Sequence, residues 1–171
     1  MKDTIDALEL LKEQHDEVDM LIGQIEDSDD SEEKAELFRE LADKLAAHAT
    51  MEEKLFYPSV MAKETEELLV ESTEEHLSVK RILADMLELD VEDAHFDAKL
   101  TVLKEQVRHH ARDEEEGELF PKLRRLLSAD ERAALGNECL AMFEALIEMG
   151  DPRMNVPAET REAAPLPMME A

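Results

Sequence analysis

Tryptophan is absent from this chain of 171 residues, which holds one cysteine, one tyrosine, five phenylalanines and four glycines. Each shortage excludes something. A single thiol, Cys139, cannot close a disulfide within the chain, nor build a thiolate metal cluster there. So few aromatics and glycines give little support to a sheet. No stretch approaches the ~20 consecutive apolar residues needed to cross a bilayer. The opening MKDTIDALELLKEQ is amphipathic and acidic throughout, without the continuous apolar run of a signal peptide, so a soluble cytoplasmic protein is expected. Basic residues are also scarce, 19 against 45 acidic ones, giving a formal net charge of -26. That field repels phosphate backbones and anionic lipid, which argues against nucleic acid and membrane as partners. A monomer or weak homo-oligomer is expected.

What the chain does have is Ala, Leu, Glu and Lys, the residues of long helices. Its apolar fraction, 43%, suffices for one real core at this length. Four long helical segments are predicted, over residues 4–25, 32–57, 64–89 and 92–120. Apolar residues recur along each at three- and four-residue steps, and each stripe includes one histidine. In the first the stripe is Ile5, Leu8, Leu11, His15, Val18, Ile22 and Ile25. Asp30 or Ser31 caps the second. Pro58 marks the second segment's end or a kink, and Pro121 ends the fourth. Ser128 and Glu131 form a capping-box pattern for a fifth helix over 129–149. The expected fold is all-α: an up-down-up-down four-helix bundle over 1–127, an accessory helix over 128–150, and a disordered proline-rich tail over 151–171.

An internal repeat organises the four helices. His15 to His76 is 61 residues, His48 to His110 is 62, and Pro58 to Pro121 is 63. Three coincidences in one register point to two helical hairpins related by pseudo-symmetry. The segments HATMEEKLFYP (48–58) and HARDEEEGELFP (110–121) both begin with His, reach acids one turn later and end in an aromatic-proline run. His48 and Glu52, four apart, share a helix face. The second copy has one extra residue. Anchoring on the proline matches Glu115 to Glu52, whereas anchoring on the histidine matches Glu114. Both stay open, with the proline anchor favoured.

A lone histidine on an apolar stripe is usually a satisfied core residue. Four of them, one per helix, read differently. Unpaired buried imidazole nitrogens would cost roughly 1–3 kcal/mol per group. A shared cation would satisfy them and neutralise the carboxylates. Four His and two carboxylates overfill a tetrahedral zinc site, so two ions are expected, with positions left open for a small diatomic or peroxide ligand. Glu92–His95 is the one Glu-x-x-His pair, near a helix start, so the ferritin-like di-iron pattern is disfavoured.

At these residues the chain resembles the hemerythrin family in its bacterial HHE cation-binding form, over about residues 5–127. The resemblance implies two non-haem iron ions with carboxylate and oxo or hydroxo bridges, manganese or zinc being the substitutes. It implies His15, His48, Glu52, His76, His110 and Glu115 (or Glu114) as ligands. It departs at one place. Oxygen-carrying hemerythrins have a second histidine four residues along the third helix, where this chain has Lys80. The resemblance therefore implies handling of O2, peroxide or nitric oxide, with turnover, rather than simple oxygen carriage. An oxygen- or iron-responsive binding protein without turnover is the alternative.

Other residues carry plainer readings. His109 lies about 100° of rotation from His110, at the rim or exposed. His95 is a surface residue and Cys139 a core one. Tyr57 packs at a helix end, or else places a phenol near the metals.

Overall fold

Capping aspartates set where the first two helices begin. Asp6 accepts from the Leu8 N–H at 2.8 Å to open α1 (Ala7–Asp27), and Asp30 accepts from the Glu32 and Glu33 N–H groups to open α2 (Ser31–Met51). A computed structural model describes residues 4–170, and no strand occurs among them. α2 continues into a π-helical segment, Glu52–Phe56, and a short α3, Tyr57–Ser59. After α4 (Glu66–Leu87), α5 (Ala94–Arg108) leads into a longer π segment, His109–Leu119, and then α6 (Phe120–Leu126). α7 (Ala129–Glu148) opens on the Ser128–Glu131 capping box, with both reciprocal hydrogen bonds made.

The π segments explain the prolines. There each N–H reaches one residue further back than in an α-helix, as Tyr57 does to the Glu52 carbonyl and Phe120 to the Glu115 carbonyl. Each proline then falls in the first turn of the α segment that follows, where its missing N–H matters least. Pro121 therefore does not end its helix as expected from the sequence; the rod runs on to Leu126.

α1 packs on α2, α5 and α7, while α4 packs on α5 and α2. The apolar side chains form two clusters. One joins Val18, Ile22, Phe38, Leu41, Leu83, Phe96 and Leu103; the other joins Leu8, Leu11, Met51, Phe56, Leu69, Leu119 and Phe120. His15 lies between Leu11 and Val18, and His110 between Leu103 and Leu119. A polar belt is thus held between two dry layers.

The start of the tail is not disordered. Gly150 and Asp151 turn the chain through positive φ, at 87° and 50°, and a 3-10 segment, Pro152–Glu159, lies across α2 and α4. Its Val156 is 2% exposed within the first cluster, and Arg153 pairs with Asp43 at 2.7 Å. Proline content alone suggested a tail without partners, but apolar Val156 and basic Arg153 find a complementary groove. Val156→Asp is expected to detach the segment. Limited proteolysis should then cut the variant after residue 150 while sparing the parent chain.

Candidate metal centre

Each histidine of the belt comes from a different rod: His15 on α1, His48 on α2, His76 on α4 and His110 in the second π segment. All four are buried, and Glu52 and Glu115 are 0% exposed. The ligand atoms fall into two trios, His15–His48–Glu115 and Glu52–His76–His110, in which each member lies within 4.8 Å of the others. The carboxylates tie the trios together. Glu52 Oε1 lies 2.9 Å from His48 Nε2 and 3.3 Å from His76 Nε2. Glu115 Oε1 lies 2.8 Å from His110 Nε2 and 3.6 Å from His15 Nε2. Each carboxylate therefore touches an imidazole of both trios.

The extra residue of the second repeat is taken up by the π segment. Its five-residue register puts Glu115, not Glu114, on the His110 face. Glu114 turns outward, 3.3 Å from His109 Nε2, and His109 itself is 54% exposed. His95 is on the surface, as read from the sequence, and Cys139 is fully buried. Burial pushes the Cys139 thiol up to about 12, so it stays protonated.

The outer nitrogens of the imidazoles follow a pattern that the sequence reading missed. His48 Nδ1–H donates to Gln14 at 2.6 Å, His15 Nδ1–H to Glu116 at 2.8 Å and His110 Nδ1–H to Glu75 at 3.0 Å. His76 Nδ1 faces Glu53 at 3.6 Å. Each of these four residues is the chain neighbour of an inner residue; Gln14, Glu75 and Glu116 each accept from an imidazole of another rod, and Glu53 faces one without a hydrogen bond. The pairs repeat under the 61–63-residue offset, Gln14 with Glu75 and Glu53 with Glu116. Their adjacency to the inner residues was the available signal. In the three rings held this way Nε2 faces inward, where loss of its proton would free a lone pair for a cation. Glu53 is shared, because Lys80, buried beside it, takes the same carboxylate and also meets Glu159 of the tail at 3.2 Å.

Tyr57 does more than pack. Its hydroxyl sits 3.3 Å from both His76 Nε2 and His110 Nε2. On the opposite side, Val18, Leu45, Val79, Leu83, Val107 and Val156 close a cavity of about 50 Å³ against the four imidazoles.

Among the described residues, every buried side-chain nitrogen or oxygen without a hydrogen-bond partner belongs to this belt: His15 Nε2, His48 Nε2, His76 Nδ1 and both oxygens of Glu52 and Glu115. His48 Nε2 and Glu52 Oε1 lie close yet are not aligned to bond, because both point into shared space. His76 Nε2 and His110 Nε2 face one another at 3.1 Å. Two ligands held about 2.1 Å from one ion at right angles stand about 3 Å apart. The donor set fits a cation, and nitrogen plus carboxylate donors suit iron, manganese or zinc.

Electrostatics in the metal-free chain agree. Burial opposes charge on His15, but Glu115 and Glu116 outweigh it and raise its pKa to about 9. His76 is raised against burial by Glu52 and Glu53, and His110 well above its usual value by Glu115 and Glu75. Burial pushes Glu52 upward, yet His48 and His76 hold it well below the carboxylate range. Burial, with Glu115 and Glu52, keeps the Tyr57 phenol protonated. A pH profile follows. The His15 contribution to metal-free stability is complete below 6.5 and is lost as pH rises through about 9. The Glu52 contribution is present above 4.5 and is lost as pH falls through its depressed value. Denaturant titrations of metal-free protein should give greatest stability between about 4.5 and 6.5 and a decline toward 9; a rise over that range would contradict the assignment.

Comparison with known proteins places this geometry. The family model for the hemerythrin HHE cation binding domain matches residues 6–123. A crystal structure of a hemerythrin HHE cation-binding domain-containing protein from Mycobacterium kansasii superposes with a TM-score of 0.77 at 26% identity, covering 92% of this chain and 95% of that one. A protein of Nostoc sp., described as a DNA nickase, is 27% identical over 130 residues, 76% of this chain but 37% of that protein's length. Helical architecture, paired His–Glu clusters and a family match over most of its length agree: the chain belongs to the hemerythrin HHE cation-binding domain family.

Proposed function

We propose that this chain is a non-haem di-iron protein that binds and turns over a small oxidant or radical, O2, H2O2 or NO, within an up-down four-helix bundle formed by α1, α2, α4 and α5 with their continuations. The observation that carries the reading is the placement of Glu52 and Glu115, each fully buried, without a hydrogen-bond partner for either oxygen, and beside an imidazole of both trios. His15 and His48 with Glu115 would hold one ion, and His76 and His110 with Glu52 the other. An iron pair there supplies reversible one-electron changes and open coordination positions.

The chain's own residues do the rest. Gln14, Glu75 and Glu116 fix three ring orientations through Nδ1, so those rings need not turn when Nε2 gives up its proton to a cation. The valine and leucine wall lines the side of the cavity facing the imidazoles, and about 50 Å³ gives room for a small ligand such as a diatomic or peroxide. Tyr57 holds a proton 3.3 Å from two imidazoles, facing the trio that Lys80 leaves one histidine short. DNA cutting is not part of the reading, since a net charge of -26 repels the phosphate backbone.

The test is oxygen evolution from H2O2 and consumption of NO by iron-loaded protein, with His48→Ala as control. Turnover that is lost in the variant supports the reading. A stable, reversible adduct without turnover selects the binding or sensing alternative. Because protonated imidazoles must give up their protons, cation uptake at neutral pH is also expected to release protons, read with an indicator in weak buffer; uptake without release would contradict the ligand set.

A further inference from the structure

The second π segment carries another His–Glu pair beside the buried one. His109 and Glu114 are five residues apart, as His110 and Glu115 are, so the register that aligns the inner pair also aligns this one on the neighbouring, outward face. Glu75 of α4 completes a trio. Its Oε2 lies 3.4 Å from His109 Nε2, and Glu114 Oε1 lies 3.3 Å from the same nitrogen. Ligand atoms of all three residues stand within 4.8 Å of one another. His109 Nδ1 faces Asp113 at 3.2 Å, so the ring is anchored outward and presents Nε2 to the two carboxylates, the arrangement that the inner imidazoles share. The other Glu75 oxygen accepts from His110 Nδ1.

We infer that Glu75, His109 and Glu114 form an outer site for a divalent transition-metal cation, joined to the inner centre through the single Glu75 carboxylate. One imidazole nitrogen and two carboxylates suit Mn2+, Fe2+ or Zn2+. The side chains of His109, Glu75 and Glu114 are 54%, 19% and 15% exposed, so an ion reaches them without opening the helices and keeps part of its water. A hydrated cation attracted by the acidic surface would meet this trio first, one carboxylate away from His110. The outer site stands on its own residues; its link to the inner centre rests on the metal reading above.

The test uses the full chain purified with iron, its iron content measured first, then titrated with Mn2+ while the free ion is followed by electron paramagnetic resonance. One further Mn2+ per chain is expected. His109→Ala and Glu114→Gln should each weaken it by roughly 10–100-fold with iron content unchanged. Glu40→Gln, a distant acidic control, should leave it intact. The inference is overturned if no further Mn2+ binds, or if His109→Ala binds it as well as the parent, which would mark a diffuse acidic surface. Absence of iron in the parent would count against the inner centre alone, and the Mn2+ comparison between parent and His109→Ala would still decide the outer site.

Discussion

Glu52→Gln is expected to leave the chain unable to keep the proposed metal pair. The substitution preserves volume, so packing in the belt survives, but it removes the charge that two imidazoles from separate trios share. Glu52 is fully buried and both of its oxygens lack a hydrogen-bond partner, so the lost interaction has no replacement from solvent. Without metal, the His48 and His76 rings lose the carboxylate that faces them, and breaking one partner of a buried charged pair costs about 3–5 kcal/mol. With metal, the loss should exceed the roughly 10–100-fold in affinity that removing an outer hydrogen-bond partner costs. Gln14→Ala supplies that milder comparison, because it removes only the His48 Nδ1 acceptor. Metal content after dialysis checks the order: parent above Gln14→Ala, and Gln14→Ala above Glu52→Gln. Equal retention by all three would contradict a bridging role for Glu52.

Gly136→Ala is expected to be the most damaging single methyl addition away from the centre. A Cβ there would stand 2.0 Å from the Ile5 carbonyl oxygen and 2.8 Å from the Ala7 nitrogen. Both are backbone atoms where the chain enters α1, and neither can swing aside. α7 would have to lift from α1, uncovering Leu135 and Cys139, which complete the second apolar cluster. Overpacking of this severity costs about 3 kcal/mol. For a chain of this size that lowers Tm by roughly 6–12 °C, readable by thermal unfolding. Gly23→Ala, where the added methyl meets nothing within 4 Å, should by contrast leave Tm unchanged or slightly higher. A Gly136→Ala protein that melts with the parent would show that α7 is not held against α1 as described.

The helices, the four belt histidines and the family resemblance were legible in the sequence because each leaves a periodic mark: an apolar stripe, one imidazole per stripe, and a repeat of 61–63 residues. The choice between Glu114 and Glu115 was not legible from α-helical spacing. It depends on a π register, and hydrogen bonds made five residues back leave no mark in a pattern read at 3.6 residues per turn. The same blind spot turned Pro121 into a helix end, since a proline looks like a stop until the π segment moves it into a first turn. The acceptors Gln14, Glu53, Glu75 and Glu116 vanished into the general acidity of the surface. The start of the tail was misread because composition reports prolines, whereas docking of Pro152–Glu159 depends on a groove between α2 and α4 that only the packed chain creates.

Metal analysis of the aerobically purified full chain, beside that of Glu52→Gln, weighs most on the proposed function, because turnover at the belt requires two cations between the trios. About two metal ions per chain, reduced in Glu52→Gln, is the predicted result. A parent chain that binds no metal above background, while folding and melting as a single cooperative unit, would contradict it.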